Sequence, residues 1–467
     1  MQHAWVRAGL VLSLAAGSAM AQSNPETQEL RREIDALRAD YEKRIQALEQ
    51  RLKAAEAAVA TQPVPAAPAA AAPAAPAPAT AAAPTAPPAS ASAARGFAPE
   101  ISLLLSGQYG HSQRDPADYR IRGFPLPPDA EIGPGTRSFS LNETELSFSG
   151  NIDPWFRGVA TFAVAPDNSV SVEEAYVQTT SLGQGLTLRG GRFFSGIGYL
   201  NAQHAHVWDF ADAPLAYQAM LGTQYGDDGL QLTWIAPTDR LVELRAEVGR
   251  GGSFPGNDRN ANSAGMVSLS AHMGDDIGTS HSWRAGLSVL HARAANQELL
   301  APDAAGTEVS NAFTGNTRVW IADAVWKWAP EGNATRTNFK LQGEYLRSTR
   351  EGSMVVDTAG LASAGSYRAV QSGWYLQGVY QFMPRWRLGL RSERLDPGDT
   401  DLGANAGLLG LDTGKARKDS LMLDWNPSEF SRVRLQLAQD RARADARDLQ
   451  WLIQYQMSLG AHGAHGY

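Results

Sequence analysis

Two histidines and two aspartates lie within nine residues of this chain, in the run 204–212 (HAHVWDFAD). Imidazole and carboxylate groups are ligands that Zn²⁺ accepts readily. His204, His206, Asp209 and Asp212 therefore form a candidate zinc site. Neither helical nor strand spacing fixes the four side chains relative to one another, so hydrogen bonding within a loop is the alternative interpretation.

The composition excludes several other kinds of chemistry. The chain has 467 residues and no Cys, so disulfide scaffolds and Cys-ligated metal centres are ruled out. Its formal net charge of −7 disfavours a nucleic-acid partner, which a basic surface would favour. The sequence contains no G-x-S-x-G, phosphate-cradling or H-E-x-x-H motif, so we expect a protein that is not an enzyme.

The first residues have the pattern of a secretory signal peptide. Arg7 precedes an apolar run at 8–16, and Ala19-Met20-Ala21 matches a signal-peptidase site. A buried N-terminal helix is the alternative. The pattern predicts that residues 1–21 are removed and that the mature chain leaves the cytoplasm.

The next segment, 22–59, has apolar residues at steps of three and four and charged residues on its other faces. This spacing predicts an amphipathic helix that self-associates as a coiled coil in the periplasm, or else folds back on its own chain. Residues 60–96 are rich in Ala and Pro, which favours an extended linker. The helix could thereby stabilise an oligomer or reach the cell wall.

Residues 97–467 show the period-two alternation of strands with one apolar and one polar face. We predict an all-β fold, a 16-stranded antiparallel transmembrane β-barrel. Aromatic residues near strand ends on the apolar face are typical of membrane interfaces, and the polar face suits a water-filled lumen; a soluble β-sandwich or propeller is the alternative. The predicted strands are 101–111, 138–152, 155–165, 170–180, 185–194, 222–236, 240–250, 264–274, 281–292, 318–328, 336–348, 369–382, 385–395, 418–425, 430–440 and 448–460.

Gap lengths agree with a barrel, because outer-membrane barrels have short turns at one rim and long loops at the other. Short gaps such as Asp153-Pro154 and Met383-Pro384 follow even-numbered strands, whereas long gaps such as 195–221 and 293–317 follow odd-numbered ones.

An apolar outer face directs a set of charged side chains into the lumen. Positions 385, 387 and 391 would form a basic stripe that an anion could follow, although hydrated charges balanced by glutamates are an equally good interpretation. The predicted lumen residues are Arg157, Arg189, Arg245, Arg284, Arg385, Arg387, Arg391, Glu243 and Glu247.

Three runs, 141–158, 173–177 and 190–201, resemble bacterial outer-membrane porins related to the phosphate-selective group. With 204–210 and the ending 458–467, the chain resembles the branch labelled zinc-regulated or TonB-dependent outer-membrane proteins. The resemblance implies outer-membrane lipid as surroundings, a homotrimer, and a third external loop, 195–221, that folds into the lumen.

The resemblance favours a porin-like channel for passive diffusion of small hydrophilic solutes or ions, linked to zinc in this branch. The alternative is a TonB-dependent metal-uptake receptor, a class that has a 22-stranded barrel around a folded plug. Roughly 360 residues provide about 22 residues, loops included, for each of sixteen strands but only about 16 for each of 22 strands, so the chain length favours the porin. An envelope-tethering or adhesin-type structural protein fits the N-terminal helix and linker as well.

Overall fold

The computed structural model describes residues 99–142, 144–444 and 446–460. The predicted signal peptide, coiled coil and linker, which together occupy residues 1–96, lie outside the described residues. Within the described part of the chain, no helix has the length and apolar character needed to cross a bilayer.

The described residues form one closed antiparallel sheet. Each strand pairs with its neighbours in the chain, and the last strand pairs with the first to close the ring. β2 and β3 both pair with β1 and occupy one place, so the barrel has sixteen strand positions, as predicted. The strands are β1 Glu100–Ser112, β2 Ser138–Leu141, β3 Thr144–Asn151, β4 Phe156–Val164, β5 Val170–Thr179, β6 Leu186–Phe194, β7 Gly226–Ile235, β8 Leu241–Gly249, β9 Met266–Ile277, β10 His281–Pro302, β11 Glu308–Trp328, β12 Asn338–Val356, β13 Ser363–Met383, β14 Trp386–Asp401, β15 Ala416–Ser428, β16 Ser431–Asp440 and β17 Asp448–Gly460.

The barrel exposes its apolar face to the outside. From Met266 to Gly274 in β9, buried and exposed residues alternate, since successive side chains of a strand point to opposite faces. Leu376 and Leu390, on neighbouring strands, are 50% and 62% exposed. Five aromatic residues that the sequence predicts on this outer face are exposed: Tyr345, Trp374, Tyr380, Phe382 and Trp425. Three others predicted there are half-buried: Trp326, Trp328 and Trp386.

The two rims of the barrel differ in their connections. At the short-turn end, residues 152–155 join β3 to β4 and residues 384–385 join β13 to β14. At the long-loop end, residues 113–137, 195–225 and 402–415 join their strands. The longest connections all lie at one rim, as the gap lengths predicted, although 165–169, 303–307 and 357–362 are short connections at the same rim.

Strands β10 to β14 extend further at the long-loop end than the sequence pattern predicts. The predicted loops 293–317 and 349–368 are mostly strand, and the connections shrink to 303–307 and 357–362. The extensions enclose a second apolar cluster, in which Phe313 is fully buried and contacts Tyr367 edge to face. Small and polar residues hide the alternation in these segments, and packing of the cluster stabilises the strands despite this.

The interior also departs from the water-filled lumen that we expected. Residues 195–225, which we call the inner loop, fold into the barrel and carry the helix α1, Leu215–Leu221, every residue of which is buried. Together with Tyr119 and Phe124 from the 113–137 connection, the inner loop packs on inward-facing Leu346 and Leu395. A hydrophobic core therefore fills much of the interior toward the long-loop end.

Replacing Phe313 by Ala should loosen the strand extensions. Truncating a buried Phe removes packing worth about 3–5 kcal/mol. We expect faster amide hydrogen exchange in 297–317 and 350–369, measured by mass spectrometry, with the rest of the barrel unchanged. Asn316→Ala, at an exposed position on the same strand, is the matched control. Equal exchange in both variants would mean that the cluster does not hold the extensions.

Candidate functional site

The inner loop is held by carboxylates that project inward from the barrel wall. We call Glu145, Glu174, Glu247, Glu344 and Glu393 the carboxylate ring, because each lies about five to seven residues from the short-turn end of its strand. All five are buried.

Three members of the carboxylate ring accept backbone N–H groups of the inner loop. Glu247 accepts from Gly196 at 2.8 Å, Glu344 accepts from Leu200 at 2.9 Å, and Glu393 accepts from Leu215 at 2.5 Å. A buried irregular loop has N–H groups without secondary-structure partners, and charged acceptors satisfy them strongly. The wall thus supplies the hydrogen-bond acceptors that the loop backbone lacks.

Two glycines allow the inner loop to approach the wall this closely. Gly198 has φ +65°, and a Cβ on it would lie 2.3 Å from a Glu344 carboxylate oxygen. A Cβ on Gly196 would overlap the Arg245 guanidinium at 1.6 Å. Side chains at these two positions would push the loop off the carboxylate ring.

Asp209 and Asp212 bind cations of the wall and not the histidines. Asp209 pairs with Lys340 at 2.6 Å and with Arg387 at 3.2 Å. Asp212 pairs with Arg391 at 2.8 Å and also with Lys418. Burial alone would raise the pKa of both aspartates, but the adjacent cations outweigh it and hold both pKa values below their usual range.

The structure therefore does not bring the four residues of the predicted zinc site together. His204 and His206 do lie together, with ring centroids 5.5 Å apart, whereas Asp209 and Asp212 form separate ion pairs along the loop. Spacing in the sequence could not show this, because the loop changes direction between the histidines and the aspartates.

The two histidines instead meet glutamates of the wall. His206 Nδ1 lies 2.6 Å from a Glu145 oxygen, and His204 Nε2 lies 3.0 Å from a Glu174 oxygen. His204 Nδ1 lies 3.3 Å from both Glu145 and Glu173. Burial lowers the pKa of His204, but the three surrounding carboxylates outweigh it and raise the pKa well above its usual value.

Regular alternation along β5 does not predict that Glu173 faces the site, because Glu173 and Glu174 are consecutive and should face opposite sides of the strand. The pairing of β4 with β5 shifts register here, from Thr161 opposite Glu174 to Phe162 opposite Val172. A β-bulge of this kind leaves one residue unpaired and re-aims its side chain. Both carboxylates consequently reach the same histidine, and only the unusual Glu-Glu pair in a strand hinted at it.

Below the carboxylate ring, toward the short-turn end, the wall is basic. Five of the nine predicted lumen residues are arginines that lie here. We call a set of basic residues at this level, each within four residues of the short-turn end of its strand, the cation belt: Arg157, Arg189, Arg245, Arg284, Lys340, Arg387 and Arg432.

The cation belt is only partly neutralised among the described residues. Arg189 donates to Gln178 and lies 4.1 Å above the Tyr176 ring. Arg432 donates to the Gln456 side chain and to backbone carbonyls of the inner loop. The predicted Glu243 does face this level, where Arg245 binds it at 3.0 Å.

The remaining predicted lumen residues lie elsewhere. Arg391 and Glu247 are higher in the barrel and bind the inner loop. Arg385 lies in the turn before β14, exposed and with φ +72°, so the predicted stripe 385-387-391 is not continuous along one strand.

Two cavities open toward opposite ends of the barrel. One, of about 550 Å³, is lined by Val207 and Asp209 of the inner loop and by Lys340, Arg387 and Arg432. The other, of about 570 Å³, opens at the long-loop end and is lined by six carboxylates and two arginines: Asp129, Glu131, Glu173, Asp227, Asp228, Asp258, Arg192 and Arg250. The inner loop contributes to the lining of both.

No protein-family model matches the chain. A protein of Aquifex aeolicus (strain VF5), described as an uncharacterized protein, is 30% identical over 407 residues, which cover 80% of this chain and 81% of the relative. The chain belongs to the family of this Aquifex aeolicus protein. At this identity and coverage the family extends over most of the described barrel.

Solved structures similar to the chain are outer-membrane proteins. OmpT of Vibrio cholerae, in a trimer form, is 9% identical, with 78% of this chain and 99% of that chain covered and a TM-score of 0.46. The outer membrane channel DcaP of Acinetobacter baumannii is 9% identical, with 77% and 97% covered and a TM-score of 0.43. An anion-selective porin from Comamonas acidovorans is 9% identical, with 78% and 99% covered and a TM-score of 0.45.

Replacing Asp212 by Asn should release the middle of the inner loop. The change removes the carboxylate that Arg391 and Lys418, both almost fully buried, share. Arg391 keeps Glu393 at 2.7 Å, but Lys418 keeps only Asp440 at 3.9 Å among the described residues, so we expect a cost near the lower end of the about 3–5 kcal/mol of a broken buried pair. We expect hydrogen exchange in 208–221 to accelerate about 100-fold or more. Asp258→Asn, which breaks an exposed pair with Arg250, should leave these amides unchanged. Unchanged protection in Asp212→Asn would refute the anchoring role.

Proposed function

We propose that this chain is a porin-like channel of the bacterial outer membrane, through which small hydrophilic solutes or ions diffuse. The observation that carries the proposal is the closed barrel with exposed apolar side chains around its outside and charged side chains inside. Exposing an apolar surface of this extent to water is unfavourable, whereas lipid accommodates it. Closure of the barrel pairs the backbone hydrogen-bonding groups of every strand, so no sheet edge is left open to lipid.

The cation belt supports a preference for anions. A ring of positive side chains in a narrow lumen concentrates anions and excludes cations of similar size. Arg189 and Arg284 are the members best suited to this role, because Arg189 has an amide and an aromatic partner, and the nearest carboxylate to Arg284 is Glu243 at 3.7 Å. Phosphate specificity and a zinc link stay predictions from the sequence resemblance.

The inner loop is the barrier in this proposal. It lies against both cavities and is attached to the wall by the carboxylate ring and by Arg391 and Lys418. A solute that crosses the barrel has to pass this loop. We therefore propose that the resting channel conducts weakly and that loosening the loop increases conduction.

Charge in the cation belt should set ion selectivity. The double variant Arg189→Gln, Arg284→Gln removes two positive charges, and we expect the anion-to-cation permeability ratio to fall roughly two- to tenfold, because such rings create potentials of several kT. The ratio follows from reversal potentials in planar lipid bilayers under a salt gradient. Arg240→Gln, in an exposed turn with Asp275 as partner, is the control. A ratio that stays the same in the double variant contradicts the selectivity proposal.

Releasing the inner loop should raise conductance. In the double variant Asp209→Asn, Asp212→Asn, four ion pairs with the wall are lost, and we expect single-channel conductance at least about twofold above that of the unchanged chain. Asp258→Asn serves as control. Silence of both the unchanged chain and the released variant would contradict the channel.

A sealed structural barrel is the second candidate, and the hydrophobic core toward the long-loop end favours it. In that case the chain would act as an envelope tether through residues 22–59, and no current would flow in either variant above.

The homotrimer and the cell-wall contact stay predictions. Cross-linking of membranes before and after deletion of residues 22–60 measures the oligomer directly.

A further inference from the structure

The cluster of His204, His206, Glu145, Glu173 and Glu174 has a use that solute passage does not require. We propose that it binds one divalent transition-metal cation, such as Zn²⁺. The site adjoins the cavity of about 570 Å³ at the long-loop end, which we call the acidic cavity and which Glu173 lines. The ligands would be His204 Nδ1, Glu145, Glu173 and His206, and Glu174 would orient His204 from behind.

The distances around His204 Nδ1 match the separation of ligands in a metal centre, while His206 Nδ1 is hydrogen-bonded to Glu145 at 2.6 Å. One donor atom from each of Glu145, His204 and His206 lies within 4.8 Å of the others. His204 Nδ1 lies 3.3 Å from an oxygen of Glu145 and 3.3 Å from an oxygen of Glu173. Ligands about 2.1 Å from a tetrahedral zinc are separated by roughly 3.4 Å.

Two of the donor atoms are buried without a hydrogen-bond partner. His204 Nδ1 and Glu173 Oε2 both have this property, although they face each other. A buried polar atom without a partner is costly, and in native proteins it often marks a missing ion or water. The side chain of Glu173 is 10% exposed and that of Glu145 is 3% exposed, so water cannot easily satisfy either.

Glu174 completes the arrangement that metal-binding histidines usually have. Its carboxylate lies 3.0 Å from His204 Nε2 and also accepts the Phe194 N–H. A carboxylate on the far nitrogen fixes the tautomer and turns the lone pair of the near nitrogen toward the metal. Here the near nitrogen is Nδ1, which faces Glu145 and Glu173.

The charge balance of the cluster also calls for a cation. Three carboxylates converge on two imidazoles, and among the described residues the ion pairs of these carboxylates are with the two histidines alone. Arg432 binds the backbone carbonyl of His206 and not a carboxylate of the cluster. Glu173 lines the acidic cavity at the long-loop end, so a cation has a path to the cluster. Carboxylates along that path favour a divalent cation over an anion.

Zinc titration of the full mature chain in detergent tests the proposal, with Zn²⁺ alone as probe and calorimetry as readout. We expect one tight site in the unchanged chain. Glu173→Gln keeps the shape of the side chain but removes a ligand charge, and should weaken binding about 10- to 100-fold. His204→Ala, His206→Ala should abolish it, and X-ray absorption should report imidazole and oxygen ligands.

Two control variants separate this site from other donors. Glu131→Gln removes the same charge from the acidic cavity without touching the cluster, and His462→Ala, His465→Ala removes the other closely spaced histidines. Both should bind zinc as the unchanged chain does. Because Gln has nearly the same size and shape as Glu, Glu173→Gln should fold normally, which circular dichroism verifies. Equal zinc affinity in Glu173→Gln and the unchanged chain, or no binding at all, would overturn the proposal. Neither outcome depends on channel conductance.

Discussion

Burial of a polar loop inside a barrel is the constraint on which this structure depends. The inner loop enters a space where water cannot satisfy its backbone, so the wall has to supply acceptors and counter-charges. Glu247, Glu344 and Glu393 accept its N–H groups, and Arg391 and Lys418 bind its Asp212. The same inward positions of an open barrel would only be hydrated charges.

This constraint divides the interior into levels with different chemistry. Toward the long-loop end, hydrophobic side chains of the inner loop and of the 113–137 connection pack against the wall. At the middle level, the carboxylate ring holds the loop. Toward the short-turn end, the cation belt lines a cavity of about 550 Å³, which Val207 and Asp209 of the inner loop also line. Lys340, Arg387, Arg391 and Lys418 bind the two loop aspartates, whereas the proposed selectivity depends on Arg189 and Arg284, so mutations can test the two roles separately.

The sequence predicted the barrel well, because alternation along a strand depends only on neighbouring residues. Sixteen strand positions and the rim parity followed from this local rule, and aromatic residues at the outer face agreed with it. The rule failed where packing across the barrel decides the structure. Phe313 and Tyr367 stabilise strands in segments with no clear alternation, and the bulge at Glu173 reverses the side that a regular strand would give it.

The candidate metal site also shows that sequence neighbours alone do not predict contacts across the barrel. His204 and His206 were identifiable from their spacing, since two imidazoles in one loop are conspicuous in a chain with nine histidines. Their partners were not, because Glu145 and Glu173 lie 59 and 31 residues before His204 and reach it only through closure of the barrel wall around the loop. Nearness in sequence suggested the two aspartates, but these carboxylates are more strongly stabilised by the fixed guanidinium and ammonium groups of the opposite wall. Within the part of the chain that the structure describes, Glu145, Glu173 and Glu174 form ion pairs with the histidines and not with wall cations.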